Sequence, residues 1–169
     1  YYHNGSIPWI KTGELNDRVI LDTEEKITIA GLQDSSAKLY KTGSLVIAMY
    51  GATIGKTAKL GIDATTNQAC AVLFDIKNEL VLTDYLWEFL QTETENLKRL
   101  AYGSAQPNLN AGIMANYKVP LPPLPKQKEI ISELHKLKSK IEELKTAASL
   151  EKSTAIAEFE KTIFDQYED

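Results

Sequence analysis

From Ile130 onward the chain carries apolar residues at Ile130, Leu134, Leu137, Ile141, Leu144 and Ala148, alternately four and three apart, with Lys and Glu on either side. That repeat is a heptad seam and predicts one long helix. Neither Gly nor Pro occurs from Lys126 to Asp169, and Ile156, Phe159 and Ile163 resume the spacing one residue out of phase after Ala147, Ala148 and Ser149, the pattern of a coiled coil that relaxes locally. A rod of about 40 residues is roughly 60 Å long, more than the preceding domain needs to cover its own core. Because the seam is narrow, its apolar residues Ile130, Leu134, Leu137, Ile141, Leu144, Ile156, Phe159 and Ile163 are assigned to helix pairing; a solvated helix folded back on the domain is the alternative.

Upstream the periodicity changes. Four prolines in six positions, Pro120, Pro122, Pro123 and Pro125, remove backbone donors and mark a boundary, giving a domain over residues 1–123 and a helix over residues 124–169. Before it, Ile7 to Ile10, Val19 to Leu21, Leu45 to Met49, Gln68 to Asp75 and Tyr117 to Leu121 read as short strands punctuated by glycines. One helix interrupts them: Thr83 suits the N-cap, Asp84 the first turn, and Leu86, Phe89, Leu90, Leu97, Leu100 and Ala101 recur at helical spacing until Gly103. The fold class predicted is α+β, a mixed, mainly β domain followed by a long C-terminal coiled-coil helix.

With 169 residues, 43% of them apolar, the chain can bury a core, and no apolar run reaches the roughly 20 residues of a membrane span. A lone cysteine, Cys70, excludes an internal disulfide, and the start Tyr1-Tyr2-His3-Asn4 has no charged n-region followed by an apolar stretch, so the compartment is read as cytoplasmic, with no membrane partner. Nineteen basic against 23 acidic residues give a net charge of −4, spread as −2 on each side of Pro125. A nucleic-acid role would therefore depend on local clusters rather than on a global field.

Gly51-Ala52-Thr53-Ile54-Gly55-Lys56-Thr57 invites a phosphate-loop reading, but three residues separate the glycines where the nucleotide-binding pattern has four, and Gly61 leaves no room for the helix that pattern requires. His3 and His135 lie far apart, Cys70 sits in an apolar strand, and Glu24, Glu25 and Asp63 read as solvated acids on turns, so neither a catalytic residue nor a metal ligand is assigned. Polar turns are more informative. Lys11 and Thr12, then Ser35, Ser36 and Lys38, then Tyr50, Thr53 and Lys56, then Asn67 and Gln68, and finally Ser104, Gln106 and Asn108 are candidate DNA-binding residues, since Asn and Gln pair with adenine, Lys with guanine and hydroxyls with phosphate. Each is also an ordinary turn or cap residue.

Taken together, Ile7-Pro8-Trp9-Ile10-Lys11-Thr12-Gly13-Glu14-Leu15, the run Gly43 to Ile47 leading into Gly51 to Lys56, Asn67-Gln68-Ala69, and Gly103 to Leu109 running into Val119 to Gln127 resemble the DNA-specificity (S) subunits of type I restriction-modification systems. The most specific piece is Pro120 to Gln127 with the heptad helix after it, similar to the end of a target recognition domain joined to a conserved spacer helix. Lys126 departs from the Glu common before Gln127, and the family's usual strand and Gly-Thr-Pro turn ahead of a segment like Tyr1 to Trp9 are missing, so the recognition domain is expected to lack its N-terminal part. The resemblance implies a non-catalytic half-subunit reading one half of a bipartite site in double-stranded DNA. Its helix would pack antiparallel against that of a second half or of a homodimer partner. Modification (methyltransferase) and restriction subunits would be partners, with S-adenosylmethionine bound by the former and no cofactor in this chain. A coiled-coil adaptor without DNA contact, or a nucleotide-dependent enzyme, are the competing readings.

Overall fold

The computed structural model describes residues 1–102 and 108–164. It divides into two units, Tyr1–Lys128 and Glu129–Asp169.

Seven strands of the first unit form two sheets. β1 (Ile7–Ile10) lies between β3 (Glu25–Ile27), antiparallel, and β6 (Thr65–Thr66), parallel; the second sheet runs β2 (Arg18–Ile20), β5 (Thr57–Leu60), β4 (Leu45–Ala48), β7 (Cys70–Leu73), with β4 antiparallel to both neighbours and β2 parallel to β5. β4 is buried on both faces, which is why it reads as an unbroken apolar run. Alternation along it splits the core: Val46 and Ala48 join Ile10, Leu15, Ile20 and Leu60 between the sheets, while Leu45 and Ile47 meet Leu86, Leu90, Leu97 and Ala101 of the helices.

Those helices are α2 (Thr83–Thr92) and α3 (Thr94–Tyr102); α1 (Ile29–Gln33) and α4 (Ala111–Ala115) are single turns capped by Thr28 and Asn110. The single helix predicted from Thr83 is thus two, broken at Glu93, whose carboxylate accepts hydrogen bonds from Asn96 Nδ2 (2.8 Å) and the Tyr117 hydroxyl. Burial, and then that bond to Glu93, push the Tyr117 hydroxyl up to about 12. Leu82, not Thr83, occupies the α2 cap position, and the capping side chain comes from Asn78, whose Oδ1 accepts from Thr83 N (3.1 Å) and Thr83 Oγ1 (3.2 Å). The segment Tyr117 to Leu121, predicted as a strand, joins neither sheet among the described residues and is held instead by the Tyr85 hydroxyl donating to Pro120 O at 3.0 Å. Pro120 within it has no N–H to give a ladder.

α5 (Leu124–Phe164, 41 residues) starts in the first unit, where Pro125 is tolerated in the first turn. Gln127 is fully buried there: Oε1 accepts from Leu82 N (2.8 Å), and Nε2 donates to Leu80 O (3.1 Å) and Pro122 O (2.8 Å). In the second unit the seam is uncovered, Leu137 being 62%, Leu144 58% and Phe159 66% exposed. No helix among the described residues is long and apolar enough to cross a membrane.

Cys70 is buried at the start of β7, and burial first, then the charge of Glu14, push its thiol from 9.0 up to about 12. The native chain should therefore react with iodoacetamide at pH 8 far more slowly than the urea-unfolded chain. Since the folded value is raised, the thiol's contribution to stability is intact below pH 9 and is lost as pH climbs toward 12. Equal labelling rates for folded and unfolded protein would contradict this.

Candidate nucleic-acid interface

Strand directions place one set of ends together. The C-terminal ends of β1, β6 and β4 and the N-terminal ends of β3, β2, β5 and β7 share one side of the first unit, because Asn67 to Ala69 passes directly from the end of β6 to the start of β7. Backbone hydrogen bonds stitch this rim: Asn67 N donates to Ile10 O (3.0 Å), Met49 N to Ala69 O (2.8 Å) and Leu109 N to Met49 O (2.9 Å), and Tyr50 bridges to Asn108. Lys11 and Thr12, Asn67 and Gln68, Tyr50 and Thr53, and Asn108 therefore sit side by side although they are far apart in the chain. Ser104 and Gln106 lie outside the described residues.

A cleft of about 360 Å³ opens between the end of α1 and the Asn67 turn, lined by Ser35, Ser36 and Lys38 on one side and Thr66, Asn67 and Gln68 on the other, with Tyr2, Trp9 and Tyr40 among its walls. The sequence candidates of these two turns thus face one space. The aromatic residues were not among the candidates, although Trp9 belongs to the same short strand as the motif; Tyr2 packs edge-on against it, ring centroids 6.5 Å apart. Some candidates serve the fold. Ser35 Oγ donates to Gly31 O (2.7 Å) and accepts from Ala37 N (3.2 Å), while Asn67 Oδ1 accepts from Ala69 N (3.1 Å) and so shapes its own turn.

The lysines of the rim are held by acids. Lys11 Nζ lies 2.9 Å from Glu25 Oε1 and 3.1 Å from Glu24 Oε2, so these acids, solvent-exposed, also pair with the rim lysine; the bonds to Glu25 and then Glu24 raise its pKa well above the usual lysine value. Beneath them the buried Glu14 accepts from Lys11 N (2.8 Å) and Glu24 N (3.1 Å), a tie foreshadowed by Glu at the third position of the turn. Asp63 is likewise engaged, with Lys41 (2.7 Å) and Thr42 N (2.9 Å). Lys56 Nζ meets Asp17 Oδ2 at 3.0 Å. Burial, the largest influence, works to raise the Asp17 carboxyl, but Lys56 and the amide and hydroxyl of Thr57 outweigh it and hold it below the usual carboxylate range. The glycines of the apparent phosphate loop have a structural use: Gly51 and Gly55 take φ of 71° and 80°. Among the described residues no three His, Cys, Asp or Glu side chains converge as a metal site.

Residues 1–152 match the type I restriction modification DNA specificity domain. The chain belongs to that family. The specificity domain is 26% identical over 141 residues to the EcoR124I/EcoR124II specificity subunit of Escherichia coli, an alignment covering 80% of this chain and 34% of the relative. It is 27% identical over 169 residues to the MjaIX specificity subunit of Methanocaldococcus jannaschii, covering 97% and 38%. It thus spans little more than a third of these relatives. Its fold is shared with a chain of a type I R-M system (TM-score 0.74, 18% identity, 98% of this chain and 39% of that one) and with the HsdS subunit from Thermoanaerobacter tengcongensis (TM-score 0.66, 18% identity, 85% and 32%).

Proposed function

We propose that the specificity domain is a non-catalytic recognition half, reading one half of a bipartite site in double-stranded DNA and docking modification and restriction subunits that carry the chemistry, with S-adenosylmethionine held by the modification subunit. The observation that carries this reading is the rim, where polar side chains from separate segments converge at one end of both sheets. An amide that is already held loses little entropy on engaging a base, which suits Asn67, whose Oδ1 accepts from Ala69 N, and Gln68 and Asn108 stand beside it on the same rim. Ser36 and Lys38 line the cleft beside them. Lys11 and Lys56 are assigned to phosphates: both keep part of their side chains in solvent, and ion pairs near the surface contribute little, so a phosphate can compete with the carboxylates for them. α5 pairs with a second helix of the same kind, contributed by another half-subunit or another chain.

The test is methylation of a randomised DNA duplex by the chain assembled with its modification subunits. Gln68→Ala or Asn108→Ala should relax preference at one base pair by about 1–3 kcal/mol, whereas Lys56→Ala should weaken binding to all sequences alike and lower the salt slope by about one unit. Retained preference in both amide variants would move base reading to other side chains. A complex without sequence preference would leave the adaptor reading.

A further inference from the structure

Groove reading does not account for the cleft between the end of α1 and the Asn67 turn. A base pair that stays stacked is read by a convex element, such as a helix, a ribbon or a loop tip, that enters a groove of the duplex. This site is concave, about 360 Å³ in volume, and Tyr2, Trp9 and Tyr40 give it aromatic walls. A base that remains in the stack cannot enter it.

The fold fixes those walls. Trp9 lies in β1 and pairs with Glu25 on one side and Thr65 on the other. Tyr40 exchanges backbone hydrogen bonds with Ala64 (2.8 and 3.0 Å), packs against the core between the sheets, and has its ring 5.4 Å from that of Phe74. Several polar side chains of the cleft, by contrast, are uncommitted. Acids hold Lys11 and Lys56, whereas the side chains of Ser36, Lys38 and Gln68 have no hydrogen-bond or ion-pair partner among the described residues. Aromatic walls, an amide with both donor and acceptor, and an unpaired cation complement the three parts of a nucleotide, namely the face of its base, the edge of its base and its phosphate.

From this arrangement we infer that the cleft takes one base extruded from the DNA duplex, with its face on the aromatic walls, its edge on Gln68 and the attached phosphate on Lys38. The inference rests on the recognition reading proposed above and names what this part of the rim binds. Extrusion breaks the pairing and stacking of the base, and stacking on the aromatic walls offsets part of that loss. The extruded base is a reading contact, separate from whichever base the modification subunits methylate.

The experiment uses the full chain assembled with its modification subunits, on duplexes of its site that carry one mismatch at a time, made by changing the base on one strand only. A mismatch at a position read in the stack weakens binding. At an extruded position it tightens binding, because the pairing to be broken is already lost. Binding should tighten about 10-fold at one position other than the methylated base. That gain should vanish in Trp9→Ala, persist in Trp9→Phe, which keeps a stacking face, and fall to about threefold in Lys38→Ala. Circular dichroism checks that each variant is folded, and Lys38→Ala, at an exposed position, carries the test if Trp9→Ala does not fold. A complex that prefers its site yet tightens only at the methylated base, or keeps the full gain in the folded variants Trp9→Ala and Lys38→Ala, would overturn extrusion into this cleft and leave the recognition reading standing. A complex without sequence preference would overturn both. Deoxynucleoside monophosphates titrated into the chain alone, followed by tryptophan fluorescence, should not saturate at micromolar concentration; saturation there would make the cleft a site for free nucleotides and overturn the inference.

Discussion

Replacing Gln127 by Ala should lower the unfolding free energy of the first unit by about 3–5 kcal/mol, because a buried polar group left without its partner costs about 1–3 kcal/mol and this amide serves three of them. Leu82 N–H would lose its acceptor at the start of α2, and Leu80 and Pro122 would each lose a donor to their carbonyls. Water entering the vacated space recovers part of the sum, which sets the lower end of the range. Gln127→Glu should cost at least as much, since a carboxylate can accept from Leu82 but cannot donate to two carbonyls. Urea unfolding followed by tryptophan fluorescence measures both; a loss under about 1 kcal/mol in the Ala variant would mean that the backbone groups find other partners.

The second large effect belongs to Gly55. An added Cβ there would stand 3.0 Å from Thr94 O and 3.3 Å from Thr94 Cα at a φ of 80°, whereas at Gly51, with a φ of 71°, it would meet nothing within 4 Å. Gly51→Ala should thus cost about 1 kcal/mol for the left-handed backbone alone, and Gly55→Ala about 2–4 kcal/mol, because the opposing atoms are backbone and the turn must separate from α3. The contrast is read from urea midpoints of the two variants. Equal losses would show that the close approach to α3 is relieved at no cost.

How far the sequence anticipates this molecule depends on which signals are local. The long helix is legible because its repeat runs unbroken from Ile130 to Leu144, and β4 because both of its faces are apolar. β5 and β6 pass unnoticed: Thr57–Leu60 follows a glycine turn directly, and Thr65–Thr66 is too short to show alternation. The break at Glu93 is invisible for a different reason, since helical spacing continues through it and the fixing partner, Tyr117, comes from a distant segment. Single members of the rim were recognisable as polar turns. Their adjacency was not, because it follows from strand direction: β1 and β6 run parallel, β4 runs against β5 and β7, and the backbone bonds from Asn67 to Ile10 and from Met49 to Ala69 join segments separated by many residues. Lys11 and Lys56 likewise look like free cations until Glu25 and Asp17 are brought beside them.

The rim is fastened main chain to main chain, through Ile10 O, Asn67 N, Met49 N and O, Ala69 O and Leu109 N. None of those bonds depends on what side chain the neighbouring residues carry. Gln68 and Asn108 can be exchanged without loosening the frame that presents them, so the side chains shown on this surface are uncoupled from the stability of the fold beneath it. Under the recognition role proposed above, a new target preference in such a frame would be reached through single substitutions that a marginally stable protein can tolerate one after another, and the lettering can be rewritten while the page stays intact.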